Sequence, residues 1–245
     1  MSEGKLLVAE EFYSIQGEGL WTGVPAIFLR LTGCNLTCPG WATATNPSGC
    51  DTTEVWKKGK FKTYQEIVDG WEETPGWIPS LLRGGHLVIT GGEPLLGDQQ
   101  RIVQFIHYLN TRLGYCVFVE IETNGTQLPI GPLRLVVSHF TVSPKLASSG
   151  NAKDLRFQSD VLKCFAGLKE AWFKFVVSSE SDIEELENIS IFCDIPHDKI
   201  FLMPMGSTKA DLAITMPPVV EFCKKYGYRF SPREHVMIWD KAVGV

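Results

Sequence analysis

Nearly continuous apolar runs recur along the chain, each separated from the next by a more polar stretch. They are rich in β-branched and aromatic residues and comprise VPAIFLRL (24–31), HLVIT (86–90), YCVFVEI (115–121), LRLVVSHFTVS (133–143), AWFKFVV (171–177) and KIFLMPM (199–205). Continuous rather than alternating apolar runs are typical of parallel strands covered on both faces. The pattern therefore predicts six buried strands of a parallel sheet.

Helix signals lie between most of these runs. They are a capping box of Thr63 with Glu66, a second box of Ser181 with Glu184, an N-cap at Asp98 with a stop at Gly114, and a helical pattern over 211–226 before Gly227. Such residues satisfy the free N–H groups of a first turn or allow the last turn to end. The alternation of strand and helix, six times over, predicts an α/β protein, either an open sheet or a partial barrel.

The chain carries no low-complexity tract, linker or clear repeat, so residues 1–245 are expected to form one domain. Its least regular stretches are 35–60 and 143–160, and loops of that length usually carry function. In an open α/β sheet and in a barrel alike, the active site lies at the carboxyl ends of the strands. Polar motifs directly after a predicted strand are therefore the first candidates for site residues.

Composition excludes several classes of protein. The chain is 44% hydrophobic but has no apolar run of about eighteen residues, which argues against a membrane span. Its first residues contain acids and lack the apolar core of a secretion signal, so a cytoplasmic protein is expected. A net charge of −5 argues against direct binding of nucleic acid, which needs a basic face.

Three of the seven cysteines, Cys34, Cys38 and Cys50, crowd into the loop GCNLTCPGWATATNPSGCDT after the first run. The other four lie singly in predicted strands or helices, where cysteine acts as a small hydrophobe. A structural zinc site needs four ligands, and no fourth lies nearby. Three thiolates suit an iron–sulfur cluster that leaves one iron open to another ligand.

The spacing Cys34-x3-Cys38, with a third cysteine further on, resembles the cluster loop of the radical S-adenosylmethionine enzymes. The segment TGGEP (90–94), directly after the run HLVIT, resembles a second motif of these enzymes. The resemblance implies a partial (β/α)6 barrel of the radical SAM type. It also implies a 4Fe-4S cluster on the three cysteines and an S-adenosylmethionine whose amino group Glu93 receives. Gly92 would let the backbone approach that cofactor closely.

Further motifs narrow the resemblance to one family. FYSIQGEG (12–19), FLRLTGCN (28–35), CDT (50–52), ETNG (122–125) and SPK (143–145) together resemble the 7-carboxy-7-deazaguanine synthases. The resemblance implies a magnesium-dependent ring contraction of 6-carboxy-5,6,7,8-tetrahydropterin with release of ammonia, in queuosine and 7-deazapurine biosynthesis. A 5′-deoxyadenosyl radical from S-adenosylmethionine would begin the reaction.

The same resemblance assigns ligands to residues of this chain. Substrate would be held by Ile15, Gln16, Gly17, Arg30, Thr90 and Val245. S-adenosylmethionine would be held by Gly49, Asp51, Gly92, Glu93, Ser143, Pro144, Lys145, Met203, Pro204 and Met205. Thr52 would give its hydroxyl oxygen to Mg²⁺, a hard ion that prefers oxygen ligands. Arg30 would pair with the substrate carboxylate, because a guanidinium matches two oxygens at once.

The cluster loop departs from the family pattern C-x3-C-x2-C. Eleven residues separate Cys38 from Cys50, and a glycine stands where an aromatic residue usually precedes the third cysteine. We therefore expect an enlarged cluster-binding loop at about 34–60 with its three ligands retained. Trp41 in the insertion either replaces the missing aromatic residue or is an exposed turn residue.

The apolar C-terminal segment 231–245 is expected to fold over the mouth of the site, with the carboxylate of Val245 in the pocket. The resemblance further implies a reductant protein such as flavodoxin and a homodimer. Two other readings stay open: a related radical activase for a glycyl-radical enzyme, and a non-catalytic metal-binding paralogue. The activase would share the cluster but would not need Arg30 or Thr52.

Overall fold

One nine-stranded sheet runs through the chain. The computed structural model describes residues 4–43, 46–242 and 244. The strands are β1 (Lys5–Ile15), β2 (Pro25–Leu31), β3 (Lys60–Thr63), β4 (His86–Gly91), β5 (Phe118–Thr123), β6 (His139–Val142), β7 (Ala171–Val177), β8 (Ile200–Pro204) and β9 (Arg229–Phe230). Their order across the sheet is β3-β1-β2-β4-β5-β6-β7-β8-β9.

Within the described ranges ten α-helices lie between the strands or after the last of them. They are α1 (Thr53–Trp56), α2 (Tyr64–Glu73), α3 (Trp77–Leu82), α4 (Gln99–Leu113), α5 (Gly131–Val136), α6 (Lys153–Arg156), α7 (Ser159–Ala166), α8 (Glu180–Phe192), α9 (Lys209–Tyr226) and α10 (Glu234–Trp239). None of these helices combines the length and the apolar character that a membrane crossing requires.

The strands from β2 through β4 to β9 pair in parallel, whereas β1 and β3 form an antiparallel edge. The six predicted runs each contribute one of the parallel strands, so the predicted α/β class is confirmed. The antiparallel strands β1 and β3 and the short edge strand β9 were not predicted. In β1 the charged pair Glu10–Glu11 interrupts the apolar pattern, and the partners that make it a strand lie in β2 and β3.

The predicted strand over 133–143 is wrong in its first half. Residues Gly131–Val136 form α5, and the strand is limited to His139–Val142. Pro132 lies in the first turn of α5, where its fixed φ favours a helix and its missing N–H costs nothing. The apolar run therefore spans a helix that covers the sheet and the strand that follows it.

Three of the four predicted helix signals have the expected form. Thr63 and Glu66 form a reciprocal capping box, Asp98 accepts a hydrogen bond from the Gln100 N–H at 3.1 Å, and Gly114 and Gly227 end their helices with positive φ. The box of Ser181 with Glu184 is wrong. There α8 starts after Ser179, because the Asp182 carboxylate accepts the N–H groups of Ser178 and Ser179 at 2.8 and 3.2 Å.

The two faces of the sheet differ in chemistry. Helices pack against one face and form the main hydrophobic core with it. To this core β2 and β4 contribute Ile27, Leu29, Leu87 and Ile89. The opposite, inner face carries the alternate positions, because successive side chains of a strand point to opposite sides. These alternate positions include the buried polar residues His86, Thr90, Glu120, His139, Thr141 and Lys174, together with the half-buried Glu122. The inner face is therefore where a polar site can form.

Candidate active site

A cavity of about 440 Å³ opens at the carboxyl ends of the parallel strands. Most predicted site residues line it: Ile15, Gln16, Gly17, Arg30, Cys34, Cys38, Gly49, Cys50, Asp51, Thr52, Thr90, Gly92, Ser143, Lys145, Met203, Pro204 and Met205. Glu93 and Pro144 are not part of its wall, and Val245 lies outside the described residues. Segments from the whole length of the chain thus meet at one place.

The three loop cysteines are free thiols on the wall of this cavity. Cys34 accepts the Leu36 N–H at 3.4 Å, Cys38 accepts the Asn151 amide at 3.2 Å, and the Cys50 sulfur lies 3.4 Å from the Thr52 hydroxyl. Burial raises the pKa of Cys34 to about 11 and also raises the pKa of Cys38. Thiolates are the metal-ligating form, so loading a metal cluster here releases protons.

The insertion after Cys38 packs backbone to backbone against the loop 146–151. A Cβ on Gly40 would lie 2.2 Å from the Ser148 carbonyl oxygen, and a Cβ on Gly150 would lie 2.7 Å from the Gly40 nitrogen. Asn151 completes the contact, because its side-chain oxygen accepts the N–H groups of Thr37 and Cys38 at 3.1 and 3.3 Å. The two loops that were expected to carry function therefore hold each other, and glycine is required where they touch.

The loop after β4 is joined to the cysteine loop through Gly92. A Cβ on Gly92 would lie 2.2 Å from the Gly33 carbonyl oxygen and 2.6 Å from the Cys34 Cβ. The next residue donates its N–H to that same Gly33 oxygen at 2.8 Å. Gly92 therefore allows the TGGEP segment to sit directly against the first cysteine.

The Glu93 carboxylate points away from the cavity into the ETNG turn. It accepts the Asn124 N–H at 2.6 Å, the Thr123 hydroxyl at 2.8 Å and the Leu95 N–H at 3.0 Å. Burial raises the pKa of this carboxyl group, although the hydrogen bonds act in the opposite direction. In the structure Glu93 thus orders the ends of two strands, and its contact with a cofactor amino group stays a prediction.

Glu122 in β5 organises two of the predicted substrate residues. One of its oxygens accepts the Gln16 amide at 3.2 Å and the other accepts the Thr90 hydroxyl at 2.9 Å. Gln16 and Thr90 are buried and face the cavity. The carboxylate therefore determines how an amide and a hydroxyl are presented to a bound ligand.

Arg30 reaches the cavity from the end of β2. Its Nε donates to Glu10 Oε1 at 2.8 Å, and its guanidinium carbon lies 5.7 Å from the centroid of the Phe12 ring. Arg30 contacts Glu10 through Nε, which lies on one edge of the planar guanidinium group. The structure thus holds a guanidinium in position at the wall of the cavity.

A cluster of titratable side chains closes the other side of the cavity; we call it the carboxyl-end network, and it consists of Glu18, Asp51, Lys174, Arg233 and His235. The Glu18 carboxylate pairs with the Lys174 ammonium and with Arg233 Nε at 2.9 Å. His235 Nε2 lies 3.8 Å from the same carboxylate. Although burial opposes ionisation, Lys174 and Arg233 hold the pKa of Glu18 far below its usual range.

Sequence reasoning missed Lys174, Arg233 and Asn151. Lys174 is a single charge inside the apolar run AWFKFVV, and a charge at such a position is costly unless it is paired. That signal marks Lys174 as a buried, partnered residue, but nothing local names its partner. Arg233 and Asn151 lie in irregular segments and carry no signal of their own.

The segments assigned to S-adenosylmethionine flank the cysteines. Lys145 Nζ donates to the Ser143 carbonyl and hydroxyl oxygens at 2.8 and 3.0 Å and lies 5.4 Å from the centroid of the Trp41 ring. Trp41 Nε1 is buried without a hydrogen-bond partner among the described residues. Met203 and Pro204 end β8 at the same wall. The insertion thus brings an aromatic ring to the cavity.

The donor chemistry of the three thiols can be compared with what an iron–sulfur cluster requires. Within the described ranges no three His, Cys, Asp or Glu side chains are grouped closely enough to hold one metal ion. A 4Fe-4S cluster takes one thiolate at each of several irons, so its ligands do not converge on one point. Three free thiols around one cavity therefore fit an iron–sulfur cluster.

Fold and site together define an α/β protein with a cysteine-lined cavity at the carboxyl edge of its sheet. No protein-family model matches the chain. A 7-carboxy-7-deazaguanine synthase from Pyrobaculum aerophilum is 34% identical over 240 residues, covering 98% of this chain and 97% of the relative. Another from Halobacterium salinarum is 32% identical over 258 residues, covering 97% and 91%. The chain belongs to the 7-carboxy-7-deazaguanine synthase family.

A solved structure supports the same assignment. QueE from Escherichia coli superimposes with a TM-score of 0.62 at 25% identity, and the match covers 94% of this chain and 95% of QueE. The similarity extends over nearly the full length of both chains. The family resemblance that the sequence motifs indicated is therefore confirmed.

Proposed function

We propose that the chain is a 7-carboxy-7-deazaguanine synthase: a radical S-adenosylmethionine lyase that contracts the ring of 6-carboxy-5,6,7,8-tetrahydropterin and releases ammonia. Its product serves queuosine and related 7-deazapurine biosynthesis. Two observations carry this proposal. The chain is 34% identical to a named synthase over 98% of its length, and three free cysteines lie on the wall of one cavity. The partial (β/α)6 barrel of the radical SAM type is the corresponding fold, and seven strands paired in parallel from β2 to β9 support it.

Cys34, Cys38 and Cys50 would hold the 4Fe-4S cluster, and the cavity-lining residues of 143–145 and 203–205, with Gly92, would hold S-adenosylmethionine. When bound, the two cofactors supply the radical chemistry that begins the reaction. The protein's own share is to orient the ligands and to exclude water. Packing of the insertion against 146–151 supports that role, since it encloses the thiols.

The substrate would lie between Arg30 and the Gln16 amide. Arg30 would receive the pterin carboxylate, a pairing in which two oxygens meet two N–H groups. The amide of Gln16 and the hydroxyl of Thr90, both oriented by Glu122, suit the polar edge of a pterin ring. Ile15 and Gly17 would complete the wall on that side.

Magnesium would bind beside the cluster through the Thr52 hydroxyl. Thr52 lines the cavity next to Cys50, and Mg²⁺ takes few protein ligands when substrate and water fill its other positions. We also propose a single domain over 1–245, a one-electron donor protein such as flavodoxin, and a homodimer. The continuous sheet supports the first, and the family resemblance supports the other two.

Anaerobic reconstitution tests the function directly. The loaded protein is incubated with the pterin, S-adenosylmethionine, magnesium and dithionite, and mass spectrometry looks for 7-carboxy-7-deazaguanine. We expect the deazapurine acid in amounts that depend on all four additions. Cleavage of S-adenosylmethionine with no deazapurine would contradict the proposed substrate and would favour a different radical enzyme.

A further inference from the structure

Arg233 lies where three loops of the cavity meet. Its Nε donates to Glu18 Oε1 at 2.9 Å, its Nη2 donates to Asp51 Oδ2 at 2.5 Å, and its Nη1 donates to the Gly206 carbonyl oxygen. The side chain is buried. All three nitrogens of the guanidinium are thus engaged, each with a different segment of the chain.

Each of the three partners directly adjoins a segment that is assigned a ligand. Glu18 follows the pair Gln16–Gly17, Asp51 lies between Cys50 and Thr52, and Gly206 follows Met205. A guanidinium is planar and rigid, so the positions of its hydrogen-bond partners are fixed relative to one another. One side chain therefore relates the substrate loop, the cluster and magnesium loop, and the S-adenosylmethionine loop.

The charges around Arg233 favour this arrangement. Glu18 and Asp51 are the two carboxylates of the carboxyl-end network, and Lys174 and His235 face Glu18 from β7 and α10. Lys174 pairs with Glu18 and not with Asp51. Within the network, Arg233 is therefore the ion-pair partner of Asp51, and it joins the cluster loop to Glu18. The backbone adds a link, because the Glu234 N–H donates to the Gly17 carbonyl oxygen at 2.9 Å.

We propose that Arg233 is a positioning residue of the synthase: by holding Asp51, it fixes Cys50 and Thr52 relative to the substrate loop, so that cofactor cleavage is coupled to product formation. This inference rests on the proposed function. Arg233 acts through Asp51 and does not itself need to touch substrate. Replacing a residue that hydrogen-bonds to a ligand-binding side chain and orients it typically lowers metal affinity or activity by about 10- to 100-fold.

The test compares Arg233→Met and Arg233→Lys with the parent and with Arg112→Met. Arg112 is a matched control because it also joins two carboxylates, Glu72 and Asp69, but on helices away from the cavity. Four quantities are measured: thermal midpoint, iron per chain, the change in the electron paramagnetic resonance signal of the reduced cluster on adding S-adenosylmethionine, and the ratio of cofactor cleaved to deazapurine formed.

We expect Arg233→Met to keep its iron, to lose most of the spectral response, and to raise the cleavage-to-product ratio roughly 10- to 100-fold. Arg233→Lys should recover part of both, and Arg112→Met should match the parent. A parental spectral response and ratio in Arg233→Met would overturn the proposal. So would a loss of stability in Arg233→Met with neither quantity changed.

A double-variant cycle combines Arg233→Met with Asp51→Asn, and it separates an effect of Arg233 that passes through Asp51 from a general effect. If Arg233→Met does not fold, Arg233→Lys takes its place in the cycle. If Arg233 acts through Asp51, the double variant is no worse than the more affected single variant. Fully additive losses would overturn the proposal. If the parent itself cleaves S-adenosylmethionine but forms no deazapurine, the proposed function fails, while the spectral response still decides the role of Arg233.

Discussion

The inner face of the sheet buries polar groups at both ends of its strands, and the surroundings of the two ends differ. At the amino end, Trp21, His86, Phe118, Glu120 and His139 form what we call the amino-end cluster. His86 Nδ1 lies 2.5 Å from Glu120 Oε1, and the His86 and Phe118 rings stack with centroids 4.0 Å apart. The Trp21 ring meets His86 and His139 edge-on.

Aromatic rings fill the space around the amino-end cluster, whereas the carboxyl-end network borders a cavity of about 440 Å³. At the amino end, His86 pairs with Glu120 on the adjacent strand, and His139 pairs with Thr141 within β6. The carboxyl-end groups are paired across loops that also present residues to the cavity. Similar buried chemistry therefore has two consequences: changes at the amino end should lower stability, and changes at the carboxyl end should alter ligand binding or turnover.

The largest effect is expected at the cysteines of the carboxyl end. Replacing Cys34, Cys38 or Cys50 singly by Ala should abolish the iron–sulfur cluster, because each thiolate is assigned to a separate iron. Iron and sulfide analysis with the visible absorption spectrum measures this, with Cys116→Ala and Cys193→Ala as controls that keep their iron. A full cluster in Cys50→Ala would show that another thiol is the third ligand.

Arg30→Ala should chiefly raise the Michaelis constant for the pterin. It leaves the substrate carboxylate without its partner, and breaking such a pair costs about 2–5 kcal/mol. The variant should still bind S-adenosylmethionine, and the spectral response of the cluster measures this binding. Glu10→Gln is the matched variant, since it removes the negative charge beside Arg30 and keeps the guanidinium. An unchanged Michaelis constant in Arg30→Ala would assign Arg30 a structural role.

Gly92→Ala should lower turnover by about 100-fold, the scale expected when catalytic groups shift by about 1 Å. The added Cβ would meet the Gly33 carbonyl oxygen at 2.2 Å, so the loops carrying Cys34 and TGGEP must separate. Gly97→Ala is the control, because nothing lies within 4 Å of its added Cβ. Parental turnover in Gly92→Ala would show that the two loops have room to move without consequence.

The amino end should respond to pH through stability. Burial, helped by His86 and Lys199, lowers the pKa of His139 to about 4 from 6.5. Because the unfolded chain binds the proton more tightly, this stabilisation is fully present above pH 6.5 and is lost as the pH falls towards 4. It amounts to at most about 3 kcal/mol.

Denaturant titrations from pH 4 to pH 7 measure this contribution. The free energy of unfolding of the parent should fall more steeply with acid than that of His139→Gln, whose side chain does not titrate. At neutral pH the variant should turn over substrate as the parent does, since His139 is not part of the cavity wall. Identical pH dependence in the two proteins would remove His139 from the acid response.

The smallest effect is expected at Thr52. Thr52→Ala should raise the magnesium concentration for half-maximal turnover severalfold, because water can take the place of one neutral oxygen ligand. Cleavage of S-adenosylmethionine without product should remain measurable. Removing magnesium with a chelator should slow turnover in both the parent and the variant. The same magnesium dependence in both proteins would exclude Thr52 from the metal site.

Local patterns in the sequence were sufficient for the α/β class, six of the seven parallel strands, and the motifs that reach the cavity. Each of these depends on a short segment: an apolar run, a capping box such as Thr63 with Glu66, or the spacing of Cys34 and Cys38. The errors lie where a local pattern admits two outcomes. The run 133–143 is apolar enough for a strand or a covering helix, and two nearby serines, Ser179 and Ser181, offer two possible caps for α8.

The tertiary structure alone decided which side chains are partners. Arg233 and Asp51 are 182 residues apart, and Lys174 and Glu18 are 156 residues apart. Glu93 shows the same dependence, because the sequence marks it as a cavity residue while its carboxylate is taken by the turn at Asn124. Propensity, capping and motif spacing act within a few residues of the chain. The pairing of these distant charges follows from how parallel strands bring their carboxyl ends together, and this proximity is a property of the assembled sheet.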